Sequence, residues 1–378
     1  MSRASLAKIA TGASLAVVLL TGAAGCDVAG LVELPPSVVY PGIEPVADAS
    51  PMPNATFSWA FEGQTVRMEV PVDGAVLEGA RRAPKTVLAF REITETEWIP
   101  DYYRAFIEES HQEPLYEALL VNFRSLRQTL GLDDDRYAEL IVSFAQTLPY
   151  RTDPVDLEPK FPIQTVGDGD GDCDDKTLLA AALLAREGYD VAILLFTPEE
   201  HVALGMRSDG STYGASGYAL VESTSPLLFG WVPDSLEGPS GDIMLTSEPM
   251  VVRIGDGDRA YGSGRQTDAV RTHLENAIAR AEELSARIDG LDAALRSKKA
   301  EIDSMRSQMD RLSSAGDVSG YNALVPRHNA LTEEYNAAVA ERNAVLDELN
   351  AAAKITERIA DGQTDRAGLV RELQIAGT

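Results

Sequence analysis

The chain has 378 residues, of which 44% are apolar and 24% are charged. This composition can bury a sizeable core and excludes a wholly disordered protein. A formal net charge of −26 argues against a nucleic-acid partner, because such proteins need a basic surface that displaces counterions from phosphates. The two cysteines, Cys26 and Cys173, are too few for a disulfide-dense scaffold or a cysteine-rich zinc site.

The first 26 residues have the pattern of an export signal. A basic start and a short apolar run over residues 9–20 precede a cluster of small residues. The run is too short to span a bilayer permanently. The segment Ala23-Ala24-Gly25-Cys26 resembles a bacterial lipobox, which implies that Cys26 is acylated and anchors an extracytoplasmic protein to the cell membrane. Plain secretion with cleavage near Ala24, which would leave Cys26 free, is the alternative.

Residues 27–55 predict an extended tether between the membrane and a folded domain. They hold six of the 20 prolines, with Gly, Ala, Ser and Asp between them. Proline at this density is incompatible with a helix or a central strand, and it favours a semi-stiff spacer.

An α+β domain is predicted over residues 56–262. Period-two alternation over residues 56–90 is typical of strands, and apolar residues at helical spacing occupy residues 102–146. Next come a helix rich in Ala and Leu, a continuous apolar strand and two further strands, and these four elements have the following ranges: 174–187, 191–196, 201–206 and 217–222. Mixed elements over some 200 residues indicate an α+β fold.

The C-terminal third, residues 266–360, predicts a coiled coil. Apolar or small residues recur at alternating steps of four and three over residues 270–312, which places them along one face of a helix. Turn residues at 313–320 interrupt this series, and a weaker one follows over residues 321–352. We therefore predict an antiparallel helical hairpin followed by a tail at 361–378. A single long arm that pairs with a partner chain is the alternative.

Cys173 has no partner for a disulfide within the chain if Cys26 is acylated, and an unpaired thiol in an exported protein needs a reason. It follows a Gly-Asp repeat and falls at the start of the Ala/Leu helix. A helix N-terminus favours a thiolate and can also receive an oxyanion. The neighbouring aspartates act in the opposite direction by raising the pKa of the thiol, so a cationic partner is needed.

The positions of the four histidines select that partner. Two of them fall in the coiled-coil arms, and His111 falls on an early polar helix or its edge. His201 instead opens an apolar strand, and the following strand ends at Glu222. A nucleophile (Cys173), a base (His201) and an orienting acid (Glu222) thus occur in chain order.

Six blocks of sequence occur in order between residues 144 and 231. They are Phe144-Ala-Gln-Thr-Leu-Pro-Tyr-Arg-Thr-Asp153, Phe161-Pro-Ile-Gln-Thr-Val166, Gly171-Asp-Cys-Asp-Asp175, Gly188-Tyr-Asp-Val-Ala-Ile-Leu-Leu195, His201-Val-Ala-Leu-Gly205 and Val221-Glu-Ser-Thr-Ser-Pro226. This region resembles the transglutaminase-like cysteine-hydrolase superfamily, particularly its prokaryotic membrane-attached members. The resemblance implies a papain-like α+β fold with Cys173 as nucleophile and His201 as base. Glu222 holds the third position, where many relatives have aspartate, and Gln164 is a candidate oxyanion donor.

The same region offers two incomplete metal sites. Asp168, Asp170 and Asp172 match the first half of an EF-hand calcium loop, but its sixth position is Cys173 instead of Gly and its twelfth is Leu179 instead of Glu. A zinc site built on the same cysteine and a histidine lacks two further ligands. We therefore expect no metal and no cofactor.

The sequence thus predicts acyl transfer through a thioester on Cys173. Hydrolysis of an amide or isopeptide bond in a protein or peptide is favoured over cross-linking, on the strength of the resemblance alone. The alternative is a catalytically inactive envelope scaffold, in which the domain binds peptides and the coiled coil recruits a partner or a second copy. An inert, buried Cys173 would fit that alternative.

Overall fold

The computed structural model describes residues 5–8, 14–17, 37–152, 158–238 and 241–375. The predicted lipobox with Cys26, the first part of the tether and Asp153 lie outside these residues. The chain forms two compact units, of which one is Met1–Ala269 with Gln363–Thr378 and the other is Val270–Gly362. It is mixed α and β with a long C-terminal pair of helices, so the predicted α+β class and helical pair are confirmed.

The first unit contains all the strands and most of the helices. Its strands are β1 (Ser5–Lys8), β2 (Ser14–Val17), β3 (Val38–Val39), β4 (Ala55–Phe61), β5 (Gln64–Val70), β6 (Val87–Ala89), β7 (Val191–Phe196), β8 (His201–Met206), β9 (Ala219–Val221), β10 (Leu236–Gly238), β11 (Gly241–Ile243) and β12 (Met250–Arg253). Its helices are α1 (Gly74–Arg82), α2 (Glu95–Glu108), α3 (Glu113–Leu130), α4 (Asp134–Thr147), α5 (Pro162–Asp168), α6 (Cys173–Arg186) and, after the second unit, α9 (Arg366–Glu372).

An antiparallel sheet in the order β12-β7-β8-β9 carries the core of this unit. Every residue of β7 and β8 is buried, because both faces of the sheet are covered. Helix α6 packs against one face, and alternate residues such as Ala192, Leu194 and Ala203 belong to a second apolar cluster. Helix α6 is itself enclosed by α2, α4 and α5, and it is buried continuously from Asp174 to Leu184. That environment explains why its sequence is rich in Ala and Leu on all sides.

The N-terminal part of the unit differs from the sequence expectation in two respects. The predicted strands form the β4–β5 hairpin, but α1 follows where strand pattern was expected, and Asp73 starts it by accepting the N–H of Ala75 at 2.8 Å. The second half of the predicted tether packs on the domain, since Ile43 is buried and the N–H of Val46 donates to Ala75 O at 3.0 Å. The segment free to act as a spacer is therefore shorter than residues 27–55.

The predicted tail at 361–378 is also corrected by the structure. Residues from Gln363 onward group with the first unit, and Leu369 of α9 is fully buried there. Thr364 O accepts the N–H of Glu62 at 3.2 Å. The domain therefore consists of two stretches of chain, and a boundary at residue 262 omits part of it. A segment this short shows too little periodicity to predict packing.

The second unit is a hairpin formed by α7 (Gly264–Ser314) from Val270 onward and by α8 (Val318–Asp361). The two helices are joined by a turn in which Gly316 has a φ of +76°. Interhelical ion pairs show that the helices are antiparallel, because the first pair along α7 involves the latest residue of α8 and the last pair involves the earliest. These pairs are Arg280–Glu348, Arg287–Glu341, Asp292–Arg342 and Lys298–Glu334. Leu284, Ile288 and Val345 form a small core between the helices. Across the residues that the structure describes, no helix is both long and apolar enough to cross a membrane.

Candidate functional site

Cys173 is the first residue of α6, and the local sequence explains why the helix begins there. Asp172 is the N-cap residue, and its side chain accepts the N–H of Asp175 at 3.4 Å. Immediately before it, Gly171 pairs with the segment at Tyr150, and its N–H donates to Pro149 O at 3.2 Å. A Cβ atom on Gly171 would lie 2.7 Å from the Asp175 Cβ, so this close approach requires glycine.

Three contacts place the start of α6 against the strands that carry the other two candidate residues. Thr177 donates to Val202 O at 3.3 Å and shares a hydrogen bond of 2.8 Å with Ser223. Ser223 Oγ also donates to Cys173 O at 3.4 Å. The backbone N–H of Val202, the residue after His201, interacts with the Cys173 sulfur and lowers the pKa of its thiol. The thiol therefore lies beside the beginning of β8.

The balance of effects on the thiol nevertheless favours its protonated form. Cys173 retains some exposure to solvent, but loss of hydration raises the pKa of its thiol well above the usual range. The charges of Asp172 and Asp174 raise that pKa further, as their sequence positions predicted, and Glu222 adds a smaller effect. A thiolate at this position consequently needs compensating positive charge.

His201 and Glu222 meet across the β8–β9 pair. Leu204 is paired with Val221, so a further step along the same register puts Glu222 opposite Ala203, on the face of the sheet that His201 shares. His201 Nε2 lies 3.0 Å from Glu222 Oε2, and both side chains are buried. The adjacency of the two strands, expected from their order in the sequence, is present in the structure. The catalytic roles of these residues stay a prediction.

Glu222 is held as an anion in spite of its complete burial. Thr224 donates to Glu222 Oε1 through its backbone N–H at 2.7 Å and through its hydroxyl at 2.5 Å. Burial raises the pKa of Glu222, but the hydrogen bonds from His201 and Thr224 outweigh it, and the pKa is lowered. Because an ionised carboxylate only accepts hydrogen bonds, His201 Nε2 carries the proton in this pair. His201 Nδ1 is then the nitrogen that can accept a proton.

A direct contact between Cys173 and His201 is expected from the sequence, and the structure shows a neighbouring contact instead. Among the hydrogen bonds of the described part of the chain, none joins the Cys173 sulfur to a His201 nitrogen, whereas the sulfur interacts with the neighbouring N–H of Val202. Catalytic hydrogen bonds are commonly long in the absence of substrate. Transfer of a proton from the thiol to His201 therefore stays a prediction.

Lys176 is a component of the site that sequence reasoning missed. It lies one turn after Cys173 on α6 and is completely buried, and its Nζ donates to Gln146 O at 3.2 Å and Thr224 O at 3.1 Å. Burial lowers its pKa to about 8, while the negative charges of Glu222 and Asp172 act in the opposite direction. A signal was present, because a lysine precedes the uninterrupted apolar run Leu178–Leu184 in a helix expected to be buried.

A cavity of about 120 Å³ adjoins this group. It is lined by Tyr150, Thr224, Ser225, Ser235 and Leu236. Burial raises the pKa of the Tyr150 phenol, and the nearby Cys173 and Asp172 raise it further, so the phenol stays protonated and can donate a hydrogen bond. A chemical group placed in this cavity would lie next to the loop that orients Glu222.

Gln164, the candidate oxyanion donor, has a structural contact instead. It is the third residue of α5, and its Oε1 accepts the N–H of Phe161 at 3.0 Å, which caps the helix. Its side chain also lines a separate polar cavity of about 540 Å³ together with Lys85, Lys160 and Asp170. The capping contact accounts for the position of Gln164, and a role toward an oxyanion stays a prediction.

Asp172, Asp174 and Asp175 place carboxylate oxygens within 4.8 Å of one another. Burial raises the pKa of Asp174 well above its usual range and that of Asp175 to about 7, and Asp172 contributes to both shifts. Asp175 accepts the N–H groups of Lys160 at 2.5 Å and Asp172 at 3.2 Å. Retained protons and these backbone donors account for the close carboxylates, which shape the loop before Cys173.

The site thus comprises the start of α6 and of β8, the residue after β9 and the buried Lys176 between them. Cys173 opens α6 and His201 opens β8, as the sequence predicted, whereas Glu222 follows β9 instead of ending it. The geometry can support nucleophilic chemistry at a thiol, given an ionised Glu222 that fixes the tautomer of His201. Comparisons of the chain with protein-family models, with curated proteins and with solved structures gave no match.

Proposed function

We propose that the protein is a thiol-dependent acyl-transfer enzyme with a transglutaminase-like, papain-like domain, and that it acts as a peptidase or amidase. The observation that carries the proposal is the buried His201–Glu222 pair, with 3.0 Å between Nε2 and Oε2, beside a cysteine at a helix N-terminus. A carboxylate that fixes a histidine tautomer next to a nucleophile is the arrangement that activates serine and cysteine nucleophiles on unrelated folds.

In the proposed reaction, His201 Nδ1 takes the thiol proton as the Cys173 sulfur attacks the substrate carbonyl carbon. The resulting oxyanion faces the N-terminus of α6, where the first N–H groups of the helix lack carbonyl partners within it. Nδ1 then gives the proton to the departing amine, and a thioester on Cys173 remains. Water attacks this thioester with His201 again acting as base, which releases the acid and restores the thiol.

The location of the enzyme is part of the proposal. The lipobox-like segment supports an acyl anchor on Cys26 and exposure outside the cytoplasm, where a protein or peptide would be the substrate. The helical hairpin would then contact a partner protein or a second copy of the chain.

The test uses the full chain with Cys26→Ser, because Cys173 is then its single cysteine. Its alkylation by iodoacetamide is measured from pH 5 to 10 with and without His201→Ala. An activated thiol should react rapidly near pH 7, and His201→Ala should slow it by about tenfold or more. The exposed His111 provides the matched control, since His111→Ala should leave the rate unchanged. Slow alkylation of Cys173 near pH 7 at a rate that His201→Ala does not change would contradict the proposal.

A non-catalytic scaffold is the second candidate, and one observation favours it. Loss of hydration and the charges of Asp172 and Asp174 raise the pKa of the Cys173 thiol, which favours its protonated form. The alkylation profile separates the two functions, because a scaffold predicts that reactivity rises only at strongly alkaline pH.

A further inference from the structure

We infer that Lys176 is a positioning residue of the site. It holds the loop that carries Glu222, and its positive charge offsets the negative charge of Glu222 and the one that develops at Cys173 when the thiol ionises. The inference rests on the proposed function and adds one residue to the same site. It is carried by the contacts of Lys176 with two backbone carbonyls and by its position among the acidic groups of the site.

The contacts of Lys176 connect three segments of chain. Its Nζ donates to Gln146 O at the end of α4 and to Thr224 O in the loop after β9. Thr224 is the residue whose N–H and hydroxyl hold Glu222 Oε1. Gln146 Nε2 donates in turn to Glu222 O at 2.9 Å and Leu227 O at 3.1 Å. The ammonium therefore fixes both groups that hold Glu222.

The charges around Lys176 are negative from every side that carries charge. Glu222 acts on it from the end of β9, Asp172 and, once ionised, Cys173 act on it from the start of its own helix, and its contact with α4 is the neutral carbonyl of Gln146. Hydrogen bonds to neutral carbonyls leave the positive charge itself uncompensated. Lys176 is therefore available to balance a buried negative charge at Glu222 and a developing one at Cys173.

Burial of the Lys176 ammonium costs the fold free energy. A buried ammonium loses its hydration, and an apolar side chain of similar size would avoid that loss. The neighbouring positions Leu178–Leu184 are indeed apolar or Ala. Without the cation, Glu222 would more readily take up a proton and would then lose its hold on the His201 tautomer.

The experiment compares Lys176→Met with Lys85→Met in the full chain with Cys26→Ser. Lys85 is the matched control, because it is also a buried lysine but does not interact with Glu222 or Cys173 among the described contacts. The readout is the pH at half-maximal alkylation of Cys173 by iodoacetamide, together with the melting temperature. We expect Lys176→Met to move that pH upward by about one unit, a tenfold loss of rate near pH 7, and Lys85→Met to leave it in place.

A merely structural lysine would change the melting temperature and leave the pH profile where it was, which would overturn the inference. Lys176→Gln, which keeps an N–H donor without the charge, is read in the same way if the Met variant does not fold. If Cys173 is alkylated rapidly near pH 7 and Lys176→Met does not change its pH profile, the inference fails and the proposed function stands. If His201→Ala does not change the alkylation rate, both the inference and the proposed function fail.

Discussion

Arg366, in the segment that follows the hairpin, offers a direct measure of how strongly this segment belongs to the domain. Its guanidinium Nε lies 2.6 Å from a carboxylate oxygen of Glu139 on α4, and the two side chains are 5% and 12% exposed. Tyr261 also donates its hydroxyl to Glu139, and Gln266 accepts a hydrogen bond from Arg366. Burial raises the pKa of Glu139, while the charge of Arg366 acts to lower it.

We predict that Arg366→Met lowers the free energy of unfolding by about 3 kcal/mol at pH 7. Removing one member of a buried ion pair costs about 3–5 kcal/mol, because the remaining charge is left without its partner. The lower end applies here, since the hydroxyl of Tyr261 remains to Glu139. For a domain of this size, a loss of ~3 kcal/mol corresponds roughly to 6–12 °C in melting temperature.

The loss should be smaller at pH 5 than at pH 7. The folded-state pKa of Glu139 is already raised by burial, and without Arg366 it rises further, so folding takes up more protons and the variant loses less stability as the pH falls. The double variant Arg366→Met/Glu139→Gln should recover most of the stability at pH 7, because no unpaired charge is then left buried.

Thermal unfolding followed by circular dichroism measures these effects. The control is Arg82→Met, which removes an exposed arginine paired with Glu78 at 2.7 Å and should cost less than about 1 kcal/mol. An Arg366→Met variant that melts within about 2 °C of the parent chain would refute the reasoning, and would mean that the domain does not depend on the segment after the hairpin.

Two further predictions concern the loop before the thiol and the membrane anchor. Gly171→Ala should cost about 1–3 kcal/mol of stability and slow Cys173 alkylation, because the new Cβ meets Asp175. The control Gly42→Ala places its Cβ in open space and should change neither quantity. Equal melting temperatures of the two variants would contradict this prediction. Cys26→Ser should release the chain from the membrane fraction or block its maturation. Cell fractionation and mass spectrometry of the N-terminus measure these outcomes. An unmodified N-terminus in the parent chain would contradict the prediction of an acyl anchor.

Hydrophobic patterning was sufficient for the elements in the interior of the domain. The apolar run 191–196 and the Ala/Leu helix appear as β7 and α6 because neither has an alternative to burial. It was insufficient for α1, where the cap at Asp73 and not the apolar spacing marks the start of the helix. Hydrophobic patterning also missed α9, because a helix of seven residues is too short to show a helical repeat of apolar positions, and the buried Arg366 helps to hold it in place.

For the candidate site, chain order located the pair that the structure shows in contact. A strand that opens with His201 and a neighbouring strand that ends before Glu222 can bring these side chains together only as antiparallel neighbours, and they are. The burial of Lys176 was harder to predict, although the apolar run after it was a signal. A lysine in the first turn of a helix is ordinarily exposed, and only the packing of α4 and the Thr224 loop over α6 buries it.

The length of the Glu222 side chain suits the point at which β9 ends. The paired residues of β9 stop at Val221, and the next residue lies diagonally across from His201 instead of directly opposite it. Diagonal neighbours on adjacent strands are about 7–8 Å apart at Cα, a distance that a longer side chain covers more easily. Glu222 reaches His201 at 3.0 Å while Thr224 holds its other oxygen at 2.5 and 2.7 Å, so the extra methylene does not leave the carboxylate loose. Shortening the side chain while keeping its charge should therefore break one of these two attachments, and an aspartate at this position would leave His201 less well oriented.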